Sequence, residues 1–443
     1  MNSRLLWLLG AGLLCLAGAV SAVETPELAG ANPHPVHLVR PRTAPLSAMA
    51  QLGREVFHDA SLSSSGALSC ASCHGPDHHY GPPNDGPVML GGADLSRQGM
   101  RAVPSLTYLE RMPNFSIGPE QDDDDNIIPL ARKAAIGQQS TRAKKVATGT
   151  TISAGNIVPQ GGLFWDGRAD TLQSQALFPL LDPNEMDGGS IDKVADRLRQ
   201  APYAGRFTAL FGAAVFSNSQ LLIAEALFAV ARYQFEDASF HSYTSKYDYW
   251  LEGRARLSES ELRGLQLFND PEKANCGGCH LSNPTREGLP PLFTDHQYEA
   301  LGAPRNAALT QNRDPGFFDL GICGPQRKDI ADQTPYCGMF VTPTLRNAAT
   351  RKAFFHNGVF QSLQEVMDFY NFRDTNPERV YPRTVDGGVA KYDDLPAKYH
   401  ANVDVSDPPF DRHPGDAPAM TAQDEADIIA FLNTLTDGYQ PEK

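Results

Sequence analysis

Two short stretches hold the residues best suited to chemistry. Cys70-Ala71-Ser72-Cys73-His74 and Cys276-Gly277-Gly278-Cys279-His280 each set two thiols three positions apart, with an imidazole directly after the second. C-x-x-C-H is the attachment signature of c-type haem. The chemistry requires this spacing: two thiols must reach the vinyl groups on one porphyrin edge, and the next residue must bring an imidazole nitrogen beneath the iron. Competing uses of such thiols are a zinc site or a thioredoxin-like redox pair. Zinc would require a second Cys/His pair nearby, and a redox pair a βαβ setting; the sequence offers neither. The motifs therefore imply two covalently bound haem c groups, with His74 and His280 as axial ligands.

The compartment reading agrees. Arg4, the apolar run from Leu5 to Leu16 and the small residues Val20-Ser21-Ala22 read as a signal peptide over residues 1–22, too short for a comfortable membrane span. Its removal takes Cys15 with it and leaves no stretch apolar enough to cross a bilayer, so a periplasmic location is expected. Of the seven cysteines, Cys323 and Cys337 remain outside both motifs. They frame a Gly/Pro-containing loop and are expected to pair as a disulfide in an oxidising compartment. The net charge of −14 argues against a nucleic-acid partner, which requires a basic footprint, and suits docking to a basic protein.

The elements that position these motifs come in pairs. Gly53-Arg54-Glu55-Val56-Phe57-His58-Asp59 precedes the first motif, and Gly264-Leu265-Gln266-Leu267-Phe268-Asn269-Asp270 the second. Both read as the end of a short helix. Downstream, Pro104-Ser105-Leu106 answers Pro343-Thr344-Leu345, and Trp165-Asp166-Gly167 with Leu172 answers His356-Asn357-Gly358 with Leu363 at equal spacing. Each half closes on an amphipathic helix: Leu221 to Phe235, and Ile428 to Leu435 with Thr421 as N-cap. The expected fold is mainly α, with two cytochrome c-like domains related by internal duplication. The N-terminal domain covers 23–240, with an insertion at about 111–160, and the C-terminal domain 241–443; the boundary falls near Asp237 to Arg256.

The repeat also predicts a chemical difference between the halves. Twelve residues after Gly358 stands Tyr370, and twelve after Gly167 stands Pro179. A phenolic oxygen can ligate haem iron, whereas proline offers no donor. The second haem is then capped and the first open, although Tyr370 can equally be a core aromatic. Six residues beyond Pro179 stands Glu185, and four before it Gln175. A carboxylate over an open haem can move a peroxide proton as a general acid–base; the alternative is a solvated loop carboxylate.

Taken together, these residues resemble the bacterial di-haem cytochrome c peroxidases, including the MauG-like branch. The resemblance runs from about Leu52 to Leu435 with one interruption. It is carried by Leu62-Ser63-Ser64-Ser65-Gly66 before the first motif, by Phe164-Trp165-Asp166-Gly167-Arg168, by Pro343-Thr344-Leu345-Arg346-Asn347 and by Phe355-His356-Asn357-Gly358. It implies that the haem on His74 is peroxidatic and the haem on His280 transfers electrons. Glu185, Gln175 and Pro179 match the family's distal pocket, and Trp165 matches its inter-haem aromatic.

Three departures stand out. Many family peroxidases cap the peroxidatic haem with a loop histidine. The matching place here is near Leu90, with His78 and His79 elsewhere in a Gly/Pro-rich loop, so no reductive activation is expected. The usual peroxidases have Met where Tyr370 stands, and MauG-like proteins have Tyr; a phenolate favours higher oxidation states. Met339 is a rival ligand whose position fits poorly. The family's calcium takes an Asn side chain at the position of Ala102 and carbonyls matching Arg351 and Ala353, so loss of the Asn puts calcium in doubt. Within the insertion, the aspartates at 122–125 and the basic stretch at 132–145 read as a solvated loop.

The function expected is a di-haem c-type peroxidase that reduces hydrogen peroxide at an open N-terminal haem. Its electrons would come from a small redox protein, a cytochrome c or cupredoxin. The first alternative is a MauG-like enzyme that uses a high-valent di-haem state to oxidise a protein partner, and the second is a non-enzymatic electron carrier.

Overall fold

The computed structural model describes residues 29–119 and 157–441. The leader read at 1–22 and most of the insertion, including 122–125 and 132–145, lie outside the described residues. The architecture is mainly helical. Its longer helices are α1 (Ala48–Phe57), α2 (Leu172–Leu181), α3 (Ile191–Gln200), α4 (Ala204–Phe211), α5 (Ser219–Glu236), α6 (Lys246–Leu251), α7 (Glu259–Phe268), α8 (Leu363–Phe372) and α9 (Ala422–Asn433). Among the described residues, strands form only two-stranded antiparallel ribbons. One of them, Ser116–Pro119 with Ile157–Gln160, is the stem through which the insertion leaves and re-enters.

In each half, the helix before the attachment motif crosses the closing helix at a glycine. A Cβ on Gly53 of α1 would lie 1.8 Å from the Ala229 carbonyl oxygen of α5. A Cβ on Gly264 of α7 would lie 1.9 Å from the Asp427 carbonyl oxygen of α9. No side chain fits either crossing, so the glycine sets the inter-helix distance on which each haem pocket is built. Around the first crossing Leu52, Val56 and Phe57 pack on Leu222, Ala226 and Tyr233; around the second, Phe268 packs on Ile428, Phe431 and Leu432. Truncating either phenylalanine to alanine would cost about 3–5 kcal/mol. Capping fixes the starts: Ser47 accepts from the Ala50 N–H, and Ser258 with Glu261 and Thr421 with Asp424 form capping boxes. The second closing helix starts at the N-cap read from the sequence, Thr421, whereas the first begins two residues before Leu221, because Ser219 and Gln220 of its first turn are polar and apolar spacing does not register them.

The turns after the motifs match as well. Phe164 and Phe355 have left-handed φ of 68° and 62°, as do Gly167 and Gly358 at 67° and 62°. Isolated bridges Leu163↔Ala169 and Phe354↔Phe360 close both turns. This matched geometry is compatible with internal duplication. Each turn also leans on the other half: a Cβ on Gly167 would strike the Tyr298 hydroxyl at 2.1 Å, and one on Gly358 the Pro87 carbonyl oxygen at 2.2 Å. The N-terminal segment crosses over too. Val36 N–H donates to the Leu251 carbonyl, Trp250 Nε1 donates to the Gly30 carbonyl, and Leu38 is buried in the second core.

Candidate active site

The first attachment motif is a single helical turn, Cys70–Cys73, which sets both thiols on one face. The His74 N–H donates to the Cys70 carbonyl at 2.9 Å. His74 Nδ1 lies 3.0 Å from the Tyr80 carbonyl oxygen. A carbonyl only accepts, so Nδ1 carries the proton and Nε2 keeps its lone pair free for a metal. Burial lowers the imidazole pKa to about 4, keeping it neutral. The second motif repeats the arrangement on a 3-10 turn: His280 Nδ1 donates to the Phe293 carbonyl at 2.8 Å, and burial again brings the pKa to about 4. Gly277 lies against Asn269, whose Oδ1 would be 2.5 Å from a Cβ there.

None of Cys70, Cys73, Cys276 and Cys279 is in a disulfide, while Cys323 and Cys337 are joined as one with Cα atoms 5.1 Å apart. Paired thiols beside a neutral, oriented imidazole are the donor set a covalent haem requires, so the residues fit the group at both motifs.

Near the first motif lies Glu185, in the loop after α2. It is close enough to Cys73 to raise that thiol's pKa electrostatically, second to burial. Burial, followed by the nearby Asp182 carboxylate, raises the Glu185 pKa to about 7, while Arg168 pulls it down. The loop is clamped by a hairpin. The Gly92 N–H donates to the Glu185 carbonyl at 2.8 Å, and a Cβ on Gly91 would lie 2.3 Å from the Asn184 and 2.5 Å from the Glu185 carbonyl oxygen. Leu90, at the family's capping position, is 48% exposed. Gln175 and Pro179 sit on α2, one turn apart. Pro179 lacks the N–H that would bond the Gln175 carbonyl. Gln175 is buried and lines a cavity of about 150 Å³ together with Phe164, Trp165, His79 and Arg351.

Trp165 spans the two halves: its Nε1 donates to the Ala102 carbonyl at 2.8 Å, and its own carbonyl accepts from the Val341 N–H at 3.0 Å. Three charged residues that no sequence pattern marked, Arg101, Asp319 and Arg327, join Asp166 and Arg168 of the motif in bracing this turn. Asp166, wholly buried, accepts from Arg101 at 2.8 Å and Arg168 at 2.9 Å; Arg101 also pairs with Asp319 at 2.7 Å, and Arg327 donates to the Asp166 and Gly167 carbonyls at 3.0 Å. The contributing residues lie up to about two hundred positions apart, so only the fold could reveal them.

In the second half, Tyr370 on α8 packs in the core cluster that includes Cys276, its ring stacked on Phe410 at 5.3 Å. Burial, reinforced by the Cys276 and Cys279 thiols, raises its pKa. Among the described residues no group hydrogen-bonds its hydroxyl. Met339 is instead buried around the Cys323–Cys337 disulfide.

The calcium expectation meets an obstacle. Arg351 Nη2 donates to the Val103 carbonyl at 2.8 Å and Nε to the Ala353 carbonyl at 3.4 Å. The Ala102 carbonyl is taken by Trp165. A guanidinium already supplies positive charge where the cation was expected. These residues do not fit calcium.

Two attachment motifs on matched helical frames define a di-haem c-type redox protein. The chain belongs to the di-haem cytochrome c peroxidase family. The family model described as di-haem cytochrome c peroxidase matches residues 47–256. The methylamine utilization protein MauG of Paracoccus denitrificans is 30% identical over 407 residues, spanning 89% of this chain and 90% of that protein. Cytochrome c551 peroxidase of Nitrosomonas europaea is 27% identical over 337 residues, 75% of each chain. Among solved structures, the diheme peroxidase BthA from Burkholderia thailandensis E264 superposes with a TM-score of 0.73 at 33% identity, covering 92% of this chain and 94% of that one. Membership implies two covalently bound c-type haems. No described helix is long and apolar enough to cross a membrane.

Proposed function

We propose that the chain reduces hydrogen peroxide at the haem held by Cys70, Cys73 and His74, with electrons relayed through the haem held by Cys276, Cys279, His280 and Tyr370. The observation that carries this reading is Glu185: a carboxyl packed beside the first motif, with its pKa brought to about 7, where it can both take and give a proton at neutral pH.

When bound, the first haem supplies the iron at which peroxide is reduced by two electrons. The rest falls to the protein. Glu185 takes the proton from the near peroxide oxygen and returns it to the departing one, which leaves as water; with two further protons and two electrons from the donor, the other oxygen becomes the second water. The Gln175 amide orients the oxygens. Pro179 presents no donor atom, so that face stays open to substrate. Trp165, hydrogen-bonded across the seam, conducts between the halves. Tyr370, its hydroxyl unclaimed by protein, closes the second site. The Cys323–Cys337 disulfide and c-type attachment support a periplasmic location.

A second reading has its own support. Tyr370 and the 30% identity to a MauG protein favour a role in which the oxidising equivalents are spent on a protein partner. Stopped-flow mixing with peroxide, with and without a reduced small cytochrome or cupredoxin, separates the two. Rapid oxidation of the small donor supports the peroxidase. A peroxide-oxidised protein that ignores such donors supports the partner-modifying role. No response to peroxide leaves an electron carrier and refutes both.

A further inference from the structure

The two proximal histidines are held alike but by different residues. His74 Nδ1 donates to the carbonyl of Tyr80, and His280 Nδ1 to the carbonyl of Phe293. Both partners take the same left-handed backbone, with φ of 53° and 56°, and both rings are buried in their half's core. The difference is one hydroxyl, and it is fully wired. Tyr80 Oη lies 2.6 Å from Ser239 Oγ, and Ser239 Oγ donates to Asp237 Oδ1 at 2.6 Å. Serine has one hydroxyl proton, and it is committed to the carboxylate, so Ser239 accepts from Tyr80. Ser239 is exposed and Asp237 half-buried, so the relay ends at solvent. The Tyr80 ring itself is 2% exposed and stacks on Phe240 at 3.6 Å. Packing alone does not require the hydroxyl, since Phe293 fills the equivalent place without one.

We infer that Tyr80 is a redox-active tyrosine of the first haem site, with Ser239 and Asp237 as its proton relay. The inference rests on the peroxide reading above, which supplies the oxidant: the first haem site after it has given two electrons to peroxide. Tyr80 returns one electron to that site through the hydrogen bond between its carbonyl and His74. Its phenolic proton passes to Ser239, and the Ser239 proton passes to Asp237. The products are a neutral tyrosyl radical, a protonated Asp237 and a haem site reduced by one electron. One electron from the external donor and the proton held on Asp237 restore the phenol. A phenol without a proton acceptor is hard to oxidise, and the second half, with Phe293 in this place, has no hydroxyl there to oxidise. The arrangement would keep an oxidising equivalent in one defined place when donor is scarce, rather than leaving it to attack porphyrin or solvent-facing side chains.

The test is freeze-quench electron paramagnetic resonance on the holoprotein mixed with peroxide in the absence of donor, with the Soret band followed in the same samples. A tyrosyl signal that changes on labelling with deuterated tyrosine is expected in the unaltered protein. Tyr80→Phe should lose it while the Soret band still responds, and this variant keeps the backbone carbonyl and reproduces the residue type that the second half already tolerates. Asp237→Asn should diminish the signal without altering the Soret response; a purely structural Tyr80 would show neither change. A Soret response with no tyrosyl signal, or a signal that survives Tyr80→Phe, overturns the inference while leaving the peroxide reading intact. No Soret response to peroxide in any sample overturns the peroxide reading, and the tyrosine loses its oxidant with it.

Discussion

Replacing Glu185 with glutamine should change rate and stability in opposite directions, and the pH dependence of both follows from one displaced pKa. The folded chain holds the Glu185 proton until about pH 7, whereas an unperturbed carboxyl releases it at 4.5. Stability contributed by the neutral carboxyl is therefore fully present below pH 4.5, declines as pH rises and is gone above about 7. At about 1.4 kcal/mol per pKa unit, ionising the folded carboxyl costs about 3 kcal/mol. Glutamine is neutral at every pH and escapes that cost. Thermal unfolding should thus coincide for the two proteins at pH 4, while at pH 8 Glu185→Gln should melt higher by roughly 5 °C or more. Catalysis moves the other way. Loss of a positioned proton carrier should slow peroxide reduction by about 10²–10⁴-fold, or about 3–5 kcal/mol of barrier. In the unaltered protein kcat/KM for peroxide should fall about tenfold per pH unit below about 7, where the base is protonated, and this limb should vanish in the variant. Stopped-flow peroxide consumption and melting curves across pH 4–8 are the assays. An unchanged peroxide rate would take Glu185 out of catalysis, and a variant less stable than its parent at pH 8 would show that its carboxyl is not held neutral by burial.

Other outcomes follow from the same geometry. Gly91→Ala would drive a methyl into the backbone of Asn184 and Glu185 and displace the catalytic loop; peroxide turnover should fall on the order of 10²-fold, as for an ångström-scale misplacement, with haem content by pyridine haemochrome unchanged. Tyr370→Phe preserves the stack on Phe410 and removes only the hydroxyl, so the melting point should barely move, while the second haem's absorption spectrum and potential change. Dialysis against a calcium chelator should leave spectrum, melting point and peroxide turnover unaltered, because Arg351 holds the Ala353 carbonyl; a chelator-dependent loss reversed by calcium would show that the guanidinium moves aside.

How much of this could be read from the chain depends on whether an interaction is local. The candidate haem ligands were legible because thioether attachment calls for Cys70, Cys73 and His74 within five consecutive positions. The helices around Gly53, Gly264 and Ile428 were legible through apolar spacing, and the repeat exposed the contrast between Pro179 and Tyr370. The disulfide followed from elimination and compartment, and the structure joins Cys323 to Cys337. The bracing of Trp165 was not legible, because Arg101, Asp166, Asp319 and Arg327 meet only once the two halves have docked. Nor was the place of residues 29–40, which precede the first motif yet pack on the second core: a short extended strap carries no periodic signal. Arg351 shows the opposite hazard. Its backbone position suggested a carbonyl donor to a cation, while its side chain, whose direction sequence does not encode, reaches the same carbonyls as a cation itself. Tyr80 was passed over for a related reason, since its importance lies in a main-chain carbonyl and a hydroxyl wired to residues some 160 positions away.

The proposed chemistry requires one iron to be open and the other closed. Cyanide titration of the oxidised holoprotein, followed by absorption and magnetic resonance, tests it most directly. Binding should saturate at one cyanide per two haems, converting a single high-spin centre to low spin and leaving the other spectrum untouched, with a second equivalent admitted only after Tyr370→Phe. Two equivalents bound by the unaltered protein, or none at all, would contradict the claim.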